Sequence, residues 1–262
     1  MIKTIHRFFY AWLFLTKFPA PPLPKATKED WGRIAPYFVL IGFILGFMIF
    51  GLARLLILYK LPVLFSALLV LLVWNLITGG LHLDGLMDTF DGINCQDPAR
   101  KLEAMKDSRV GAFGAMAGIF AILFKMVTLC TLLLNNNFFV ILIVLPLSRL
   151  IAVYSFTFLS RNKDSGVSSS LLLAGIKKPQ DLIINVLIFI LGFLGISFFL
   201  PITSYFLPLL FVLLSFVLSL FWAYWLDNHF KGHTGDTFGA LIEVSEITVL
   251  SLGVFFKNYF VM

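Results

Sequence analysis

Charged residues are scarce in this chain. Asp, Glu, Lys and Arg make up only 13% of its 262 residues, whereas 60% are hydrophobic. Soluble domains carry about 25% charged and roughly 45–50% apolar residues, so this composition excludes an ordinary soluble domain and indicates residence in a membrane. Cysteine is equally scarce. Cys95 and Cys130 are too few for a disulfide framework or a cysteine-built zinc site.

Several nucleotide-binding and hydrolytic motifs are missing. The chain has no Gly-x-x-x-x-Gly-Lys-Ser/Thr loop, no Gly-rich Rossmann fingerprint and no Gly-x-Ser-x-Gly elbow. ATP hydrolysis, hydride transfer and serine hydrolysis therefore lose support. Lys3 and Arg7 precede an apolar stretch, but no small-x-small cleavage site follows. Residues 5–16 are instead predicted to form a short helix lying on or dipping into the membrane.

Long apolar runs dominate what remains. Runs close to the length of about 20 residues that crosses a bilayer occur at 36–58, 62–81, 111–134, 138–159, 182–201, 205–226 and 238–258. The predicted fold class is all-α: a polytopic integral membrane helical bundle of about seven transmembrane helices plus the short N-terminal interfacial helix. We expect residues 1–262 to form a single membrane-embedded domain.

The cations predict the orientation. Of the 20 Lys and Arg residues, 15 fall in the N-terminal segment and the three longer polar loops. These are Lys3, Arg7, Lys17, Lys25, Lys28, Arg33, Arg100, Lys101, Lys106, Arg109, Arg161, Lys163, Lys177, Lys178 and Lys231. Because cytoplasmic loops are enriched in Lys and Arg, we expect a multi-pass protein of the cytoplasmic (inner) membrane with a cytoplasmic N-terminus and active site. The net charge of +6 reflects this orientation, and no nucleic acid partner is expected.

Three aspartates follow the second apolar run in the segment HLDGLMDTFDG, residues 82–92. If the second helix continues through this segment, Asp84, Asp88 and Asp91 lie within roughly 60° of one another. They would then sit at a helix end, where the helix dipole disfavours acids. A divalent cation removes their repulsion, and oxygen ligands favour Mg²⁺ or Mn²⁺ over zinc. The alternative is a solvated helix end.

Two further polar clusters carry candidate phosphate ligands. In MKDSRVGAFG, residues 105–114, Lys106 and Arg109 suit phosphate oxygens, as do the amides of a glycine-flanked helix start. A positive-inside anchor is the alternative. In HFKGHTGDTFG, residues 229–239, Lys231 and the pair His229 and His233 could bind phosphate, and Asp236 could complete a metal shell or orient a nucleophile. A plain turn is the alternative here.

Four charges fall inside the apolar runs: Lys125, Arg149, Glu243 and Glu246. Such residues usually face the bundle interior or snorkel to its ends. Arg149 and Glu246 are similarly deep, so they are predicted to be neighbours, with structural pairing favoured over catalysis.

The motifs resemble a known family. GGLHLDGLMDTFDGI at 79–93, followed by MKDSRVGAFG, is similar to the signature of cobalamin synthases. FLTKFPAP at 14–21, PLSRL at 146–150 and GHTGDTFGA at 232–240 agree with it. The likeness runs from about residue 10 to residue 250.

The resemblance implies a reaction. Members of that family transfer the adenosylcobinamide-phosphate group from adenosylcobinamide-GDP to α-ribazole or its 5′-phosphate, need Mg²⁺ and release GMP. A Mg²⁺ held by Asp84, Asp88 and Asp91 would neutralise the diphosphate. Asp91 or Asp236 could take the hydroxyl proton, and the residues leave that choice open. His82 could contact phosphate or support an aspartate. The sequence leaves the oligomeric state open, and a homo-oligomer is compatible with it.

Two other functions compete. A CDP-alcohol phosphotransferase would place Ala-Arg soon after the first Asp-Gly and add a further Asp-x-x-x-Asp. Here Ala99 and Arg100 come too late, and no such second motif follows. A cation-coupled transporter would place its acids near the bilayer midplane in broken helices, whereas these acids are expected at one face.

Overall fold

The computed structural model describes residues 2–97, 100–160, 162, 179–199 and 206–256. Within these ranges the regular secondary structure is helical, which confirms the predicted all-α class. Some predictions lie outside the described residues. These are the positions of Arg161, Lys163, Lys177 and Lys178 and the outer ends of the spans at 182–201, 205–226 and 238–258.

Eleven α-helices occur in the described ranges. In chain order they are α1 (Ile2–Leu15), α2 (Lys28–Trp31), α3 (Phe38–Leu58), α4 (Val63–Thr78), α5 (Leu81–Asn94), α6 (Lys101–Met105), α7 (Ala112–Leu134), α8 (Phe138–Phe158), α9 (Pro179–Phe199), α10 (Phe206–Phe230) and α11 (Gly235–Phe255). A 3₁₀ turn, Ala35–Tyr37, precedes α3. Six helical segments of the described chain are long and apolar enough to cross a bilayer, and α4 with α5 gives a seventh if the pair is one span. The protein is therefore a multi-pass membrane protein.

The second apolar run ends in a sharp break. Gly79 and Gly80 both have φ +66°, a left-handed conformation that glycine adopts without steric cost. Gly79 terminates α4, and α5 starts at Leu81 with an 85° change of direction. The second helix therefore does not continue through residues 82–92, which form a separate helix. Asp84 lies in the first turn of a new helix, where the helix dipole favours a carboxylate, and not at the end of an old one.

Helix α8 lies at the centre of the bundle. Almost all of its residues are buried, and α3 packs closely along it. The close approach needs glycine: a Cβ at Gly42 would lie 2.7 Å from Pro146 Cα, and one at Gly46 would lie 2.8 Å from the Leu142 carbonyl oxygen. Small residues at helix contacts are typical of membrane bundles, where tight packing replaces the hydrophobic driving force.

The predicted N-terminal helix is present as α1. It buries Tyr10, Ala11 and Leu15 against the bundle. Beyond its end, the backbone N–H of Lys17 donates to the Ile77 carbonyl at 2.7 Å, and the Lys17 side chain covers Gly79. The N-terminal segment is thus fastened to the break between α4 and α5.

Helix α5 lies between α7 and α11 and runs antiparallel to α7. Met87 contacts Gly118, whereas Asp91, one turn later in α5, contacts Gly111 and Gly114 at the start of α7. On its other side α5 approaches α11 through a glycine pair, with a Cβ at Gly85 lying 3.2 Å from Gly239 Cα. This packing brings the α5 acids to the first turns of α7 and α11.

Candidate active site

The acidic cluster is built by α5 and the start of α11. Asp84 is exposed, and Asp88 and Asp236 are half-buried. Asp84, Asp91 and Asp236 all lie close enough to Asp88 to repel its ionised form. Asp236 joins the three α5 acids because Gly85 lets the helices touch: a Cβ there would lie 2.7 Å from the Asp236 carbonyl oxygen.

Asp91 differs from the other acids in having fixed partners. Its Oδ2 accepts the Gly111 N–H at 2.8 Å, and its Oδ1 accepts the Gly114 N–H at 2.8 Å. The structure thus assigns these two amides, which the sequence offered as phosphate ligands, to a carboxylate. No sequence signal points to this pairing, because the partners lie 20 and 23 residues from Asp91.

Lys106 and Arg109 lie on the exposed loop before α7. The charge of Lys106 acts on Asp236, which places this lysine at the edge of the acidic cluster. The guanidinium of Arg109 is directed to Asp107, with Nη2 2.8 Å from Oδ2. Hydrogen bonds from the Arg109 side chain and backbone lower the pKa of Asp107 to about 2. Such exposed pairs contribute little to stability, so a phosphate group can compete for Arg109.

The basic residues in the turn between α10 and α11 differ in their exposure to solvent. Lys231 is exposed, with φ +52°. His233 is fully buried; its Nε2 lies 3.1 Å from the Ala223 carbonyl oxygen and its Nδ1 lies 3.2 Å from Thr237 Oγ1. Burial lowers the pKa of His233 to about 4, so the ring is neutral at pH 7. These contacts make His233 part of the turn.

The other two candidate phosphate ligands among the histidines, His229 and His82, both lie among protein groups. His229 Nε2 lies 2.8 Å from Lys101 Nζ, and its ring stacks on Trp225. His82 is buried at the start of α5, within electrostatic reach of Arg149, Lys125 and Glu246. The structure therefore places His82 against the buried charges of the bundle.

Those buried charges form a network between three helices. Lys125 Nζ lies 2.6 Å from Glu243 Oε1 and 2.6 Å from Glu246 Oε2, and Arg149 pairs with Glu246. This confirms that Arg149 and Glu246 are neighbours and that the intramembrane charges face the interior. Lys125 Nζ also lies over the ring of Trp74 in α4, 4.9 Å from the ring centroid, and no sequence motif indicates this contact.

The acidic cluster has the chemistry of a Mg²⁺ site without a complete cage. In the described part of the chain, no three His, Cys, Asp or Glu side chains converge on one metal position. The described residues also contain no cation in an ion pair with Asp84 or Asp88. Mg²⁺ usually takes one or two carboxylates and completes its shell with water and substrate phosphate. The donor set fits that mode of binding.

The fold and the site define a multi-pass helical membrane protein with an acidic, lysine-edged cluster suited to phosphate chemistry. The sequence profile of the cobalamin-5-phosphate synthase family matches residues 7–254. The chain therefore belongs to this family, as its motifs predicted, and is a transferase.

Curated relatives agree over nearly the full length. The adenosylcobinamide-GDP ribazoletransferase of Thermosynechococcus vestitus is 36% identical over 232 residues, 88% of each chain. The protein of the same name from Thermoanaerobacter pseudethanolicus is 32% identical over 95% of this chain and 97% of its own length. That from Brevibacillus brevis is 30% identical over 94% of this chain and 96% of its own. No solved structure matches the chain.

Proposed function

We propose that this protein transfers the adenosylcobinamide-phosphate group of adenosylcobinamide-GDP to α-ribazole or α-ribazole 5′-phosphate. The product is adenosylcobalamin or its 5′-phosphate, and GMP is released. The relatives carry the name of this activity over about nine-tenths of the chain. The acidic cluster of Asp84, Asp88 and Asp236, with Lys106 at its edge, is the observation that carries the proposal.

The reaction exchanges one phosphorus–oxygen bond for another. A ribose hydroxyl oxygen of ribazole attacks the phosphorus bound to cobinamide. The bond from that phosphorus to the bridging oxygen of the diphosphate breaks, and its electron pair leaves with GMP. The hydroxyl proton passes to a carboxylate. Asp236 has the more available carboxylate for this step, because both Asp91 oxygens already accept amide hydrogen bonds.

Asp84 and Asp88 are the proposed carboxylate ligands for Mg²⁺, with Asp236 beside them as the proton acceptor, and the prediction of Asp91 as a further ligand stays a prediction. Bound Mg²⁺ would offset diphosphate charge and stabilise the leaving oxygen. Lys106, Arg109 and Lys231 are exposed and long enough to contact the outer phosphate oxygens. The buried His82 and His233 hold backbone and helices in place in this scheme.

The site is proposed to face the cytoplasm from the cytoplasmic membrane. Helix α5 packs on the starts of α7 and α11, and the ends of α8 and α10 meet at the turn that precedes α11. The excess of Lys and Arg in these connections supports a cytoplasmic location. One membrane domain comprising the whole chain contains the site.

Asp88→Asn tests the acidic cluster directly. It removes the charge at the centre of the cluster and leaves the side-chain shape, so the GMP release rate should fall by more than about 100-fold, as when a major electrostatic contribution to a transition state is lost. Purified protein is given adenosylcobinamide-GDP, α-ribazole and Mg²⁺, and GMP is quantified. Glu103→Gln, an exposed acid on α6, is the matched control and should retain normal turnover.

Two results would contradict the proposal. Normal turnover of Asp88→Asn would remove the proposed metal site. Failure of the wild-type protein with these substrates, together with activity on a CDP-activated lipid, would establish a CDP-alcohol phosphotransferase instead.

A further inference from the structure

Asp91 caps a helix other than its own. Helix α7 starts after Gly111, which has no side chain to satisfy the first amides of the helix. The Asp91 carboxylate accepts the N–H groups of Gly111 and Gly114, each at 2.8 Å. A carboxylate in this position satisfies orphan amides and complements the positive end of the helix dipole. Asp91 thereby joins α5 to the start of α7.

The Asp91 carboxylate occupies the space that side chains at Gly111 and Gly114 would need. A Cβ at Gly111 or at Gly114 would overlap the carboxylate of Asp91, and one at Gly114 would also lie 2.7 Å from the Met87 carbonyl oxygen. Backbone N–H groups can approach Asp91 this closely only because neither residue has a side chain. Neither glycine needs a left-handed conformation, so close approach is the reason for both.

The loop between α6 and α7 is held to α5 at both ends. At its start Met105 packs on Gly92, where a Cβ would lie 2.6 Å from Met105 Cγ. At its end Gly111 binds Asp91. Consecutive residues of α5 thus fix both ends of the short segment 106–110, which carries Lys106 and Arg109. Lys106 lies within electrostatic reach of Asp236 in this arrangement.

We propose that Asp91 is a positioning residue: its carboxylate fixes the loop that carries Lys106 and Arg109 beside the acidic cluster. This rests on the proposed function in one respect, namely that the loop binds substrate phosphate. It departs from the prediction that Asp91 is itself a metal ligand or the proton acceptor.

Limited trypsin digestion tests the anchoring without any substrate. Trypsin cleaves after Lys106 and Arg109, so cleavage at these sites reports release of the loop. Asp91→Asn keeps one acceptor oxygen but turns an amide towards a backbone N–H, and Gly114→Ala collides with the carboxylate. Both variants should be cleaved about tenfold faster than wild type in detergent, the factor expected when a helix cap is lost. Gly118→Ala, one turn along α7, meets only the flexible Met87 side chain and should match wild type.

Kinetics separate positioning from chemistry. Under the proposal, Asp91→Asn and Gly114→Ala both raise the KM for adenosylcobinamide-GDP about tenfold, change kcat little and leave the pH–rate profile unmoved. A large loss of kcat in Asp91→Asn, with wild-type constants in Gly114→Ala, would overturn the proposal in favour of a base or metal ligand. Wild-type cleavage rates in both variants would also overturn it. If the wild-type enzyme fails with the proposed substrates, the digestion result still decides whether Asp91 anchors the loop.

Discussion

Glu246 binds two cations that come from two different helices. One of its oxygens pairs with Lys125 of α7 and the other with Arg149 of α8, and all three side chains are at most 2% exposed. Opposite charges offset much of the cost of burial here. Without Glu246, Lys125 would keep Glu243, but Arg149 would lose its carboxylate partner where water cannot reach it.

Glu246→Gln should therefore destabilise the protein strongly. The expected loss is about 3–5 kcal/mol, the typical cost of breaking a buried ion pair from one side. The measurement is unfolding in detergent, followed by circular dichroism. Glu29→Gln is the control, because Glu29 pairs with Arg7 and Arg33 at the surface with its side chain 63% exposed, and exposed pairs are worth about 1 kcal/mol or less. Equal stabilities of the two variants would contradict a stabilising role for the network.

The sequence predicts the pair of Arg149 and Glu246 but does not predict other side-chain contacts. Arg149 and Glu246 could be matched because a charge in an apolar span needs a partner at its own depth. The bonds of Asp91 to Gly111 and Gly114 could not be predicted, since an aspartate on a helix has the same pattern whether it binds metal, water or a backbone amide. His233 looks basic in the sequence, and only its burial shows that its ring is neutral.

The position of helix α5 depends on a close contact between Gly85 and helix α11. Gly85 lies against Asp236 and Gly239, and this contact sets how close Asp84 and Asp88 come to Asp236. The acidic cluster is therefore assembled by backbone packing between two helices as well as by the spacing of acids along one of them.

Gly85→Ala should disrupt the cluster without removing an acid. Its methyl group would lie 2.7 Å from the Asp236 carbonyl oxygen, and overpacking of this kind typically costs about 1–3 kcal/mol. Displacement of α5 should lower turnover by about tenfold or more, since small misplacements of reacting groups are costly. GMP release at saturating Mg²⁺ gives the measurement. Gly51→Ala in α3 meets no atom within 4 Å and should retain full activity. Full activity of Gly85→Ala would show that the contact is not needed.

The break before α5 shows where hydropathy stops being informative. Apolar composition predicted a span at 62–81, whereas the helix there covers only Val63–Thr78 and gives a span only together with α5, because glycine occurs within membrane helices as well as at their ends. Gly79 and Gly80 both adopt the left-handed conformation, and the Lys17 side chain from a distant part of the chain lies over Gly79. The helical class and the spans were therefore predictable, whereas the path of the chain at the site was not.

For the whole molecule, the arrangement of helices gathers the polar loops at one end. The acids of α5 meet the starts of α7 and α11, and the connections at the opposite end are short in the described chain, as at 59–62 and 135–137. An active site assembled there would be open to water on one side of the membrane only.

Cysteine labelling can establish that side. In a background with Cys95 and Cys130 replaced by serine, Ser108→Cys should react with a membrane-impermeant maleimide only from the cytoplasmic face. Tyr59→Cys, in the connection between α3 and α4, should react only from the opposite face, since this residue is 73% exposed. Inside-out and right-side-out vesicles are compared. Reversed labelling of the pair would invert the proposed topology and place the acidic cluster outside the cytoplasm.

The contact between Lys17 and the end of α4 has a practical consequence for making the protein. Trimming the chain to its apolar helices would leave the Ile77 carbonyl without its 2.7 Å partner and uncover Gly79. A shortened expression clone would thus lose a contact that holds the end of α4, next to the helix that carries Asp84 and Asp88, although every predicted span would still be encoded. An affinity tag should therefore not replace the first 17 residues. Protein that lacks these residues should still insert into the membrane but should have low transferase activity after purification.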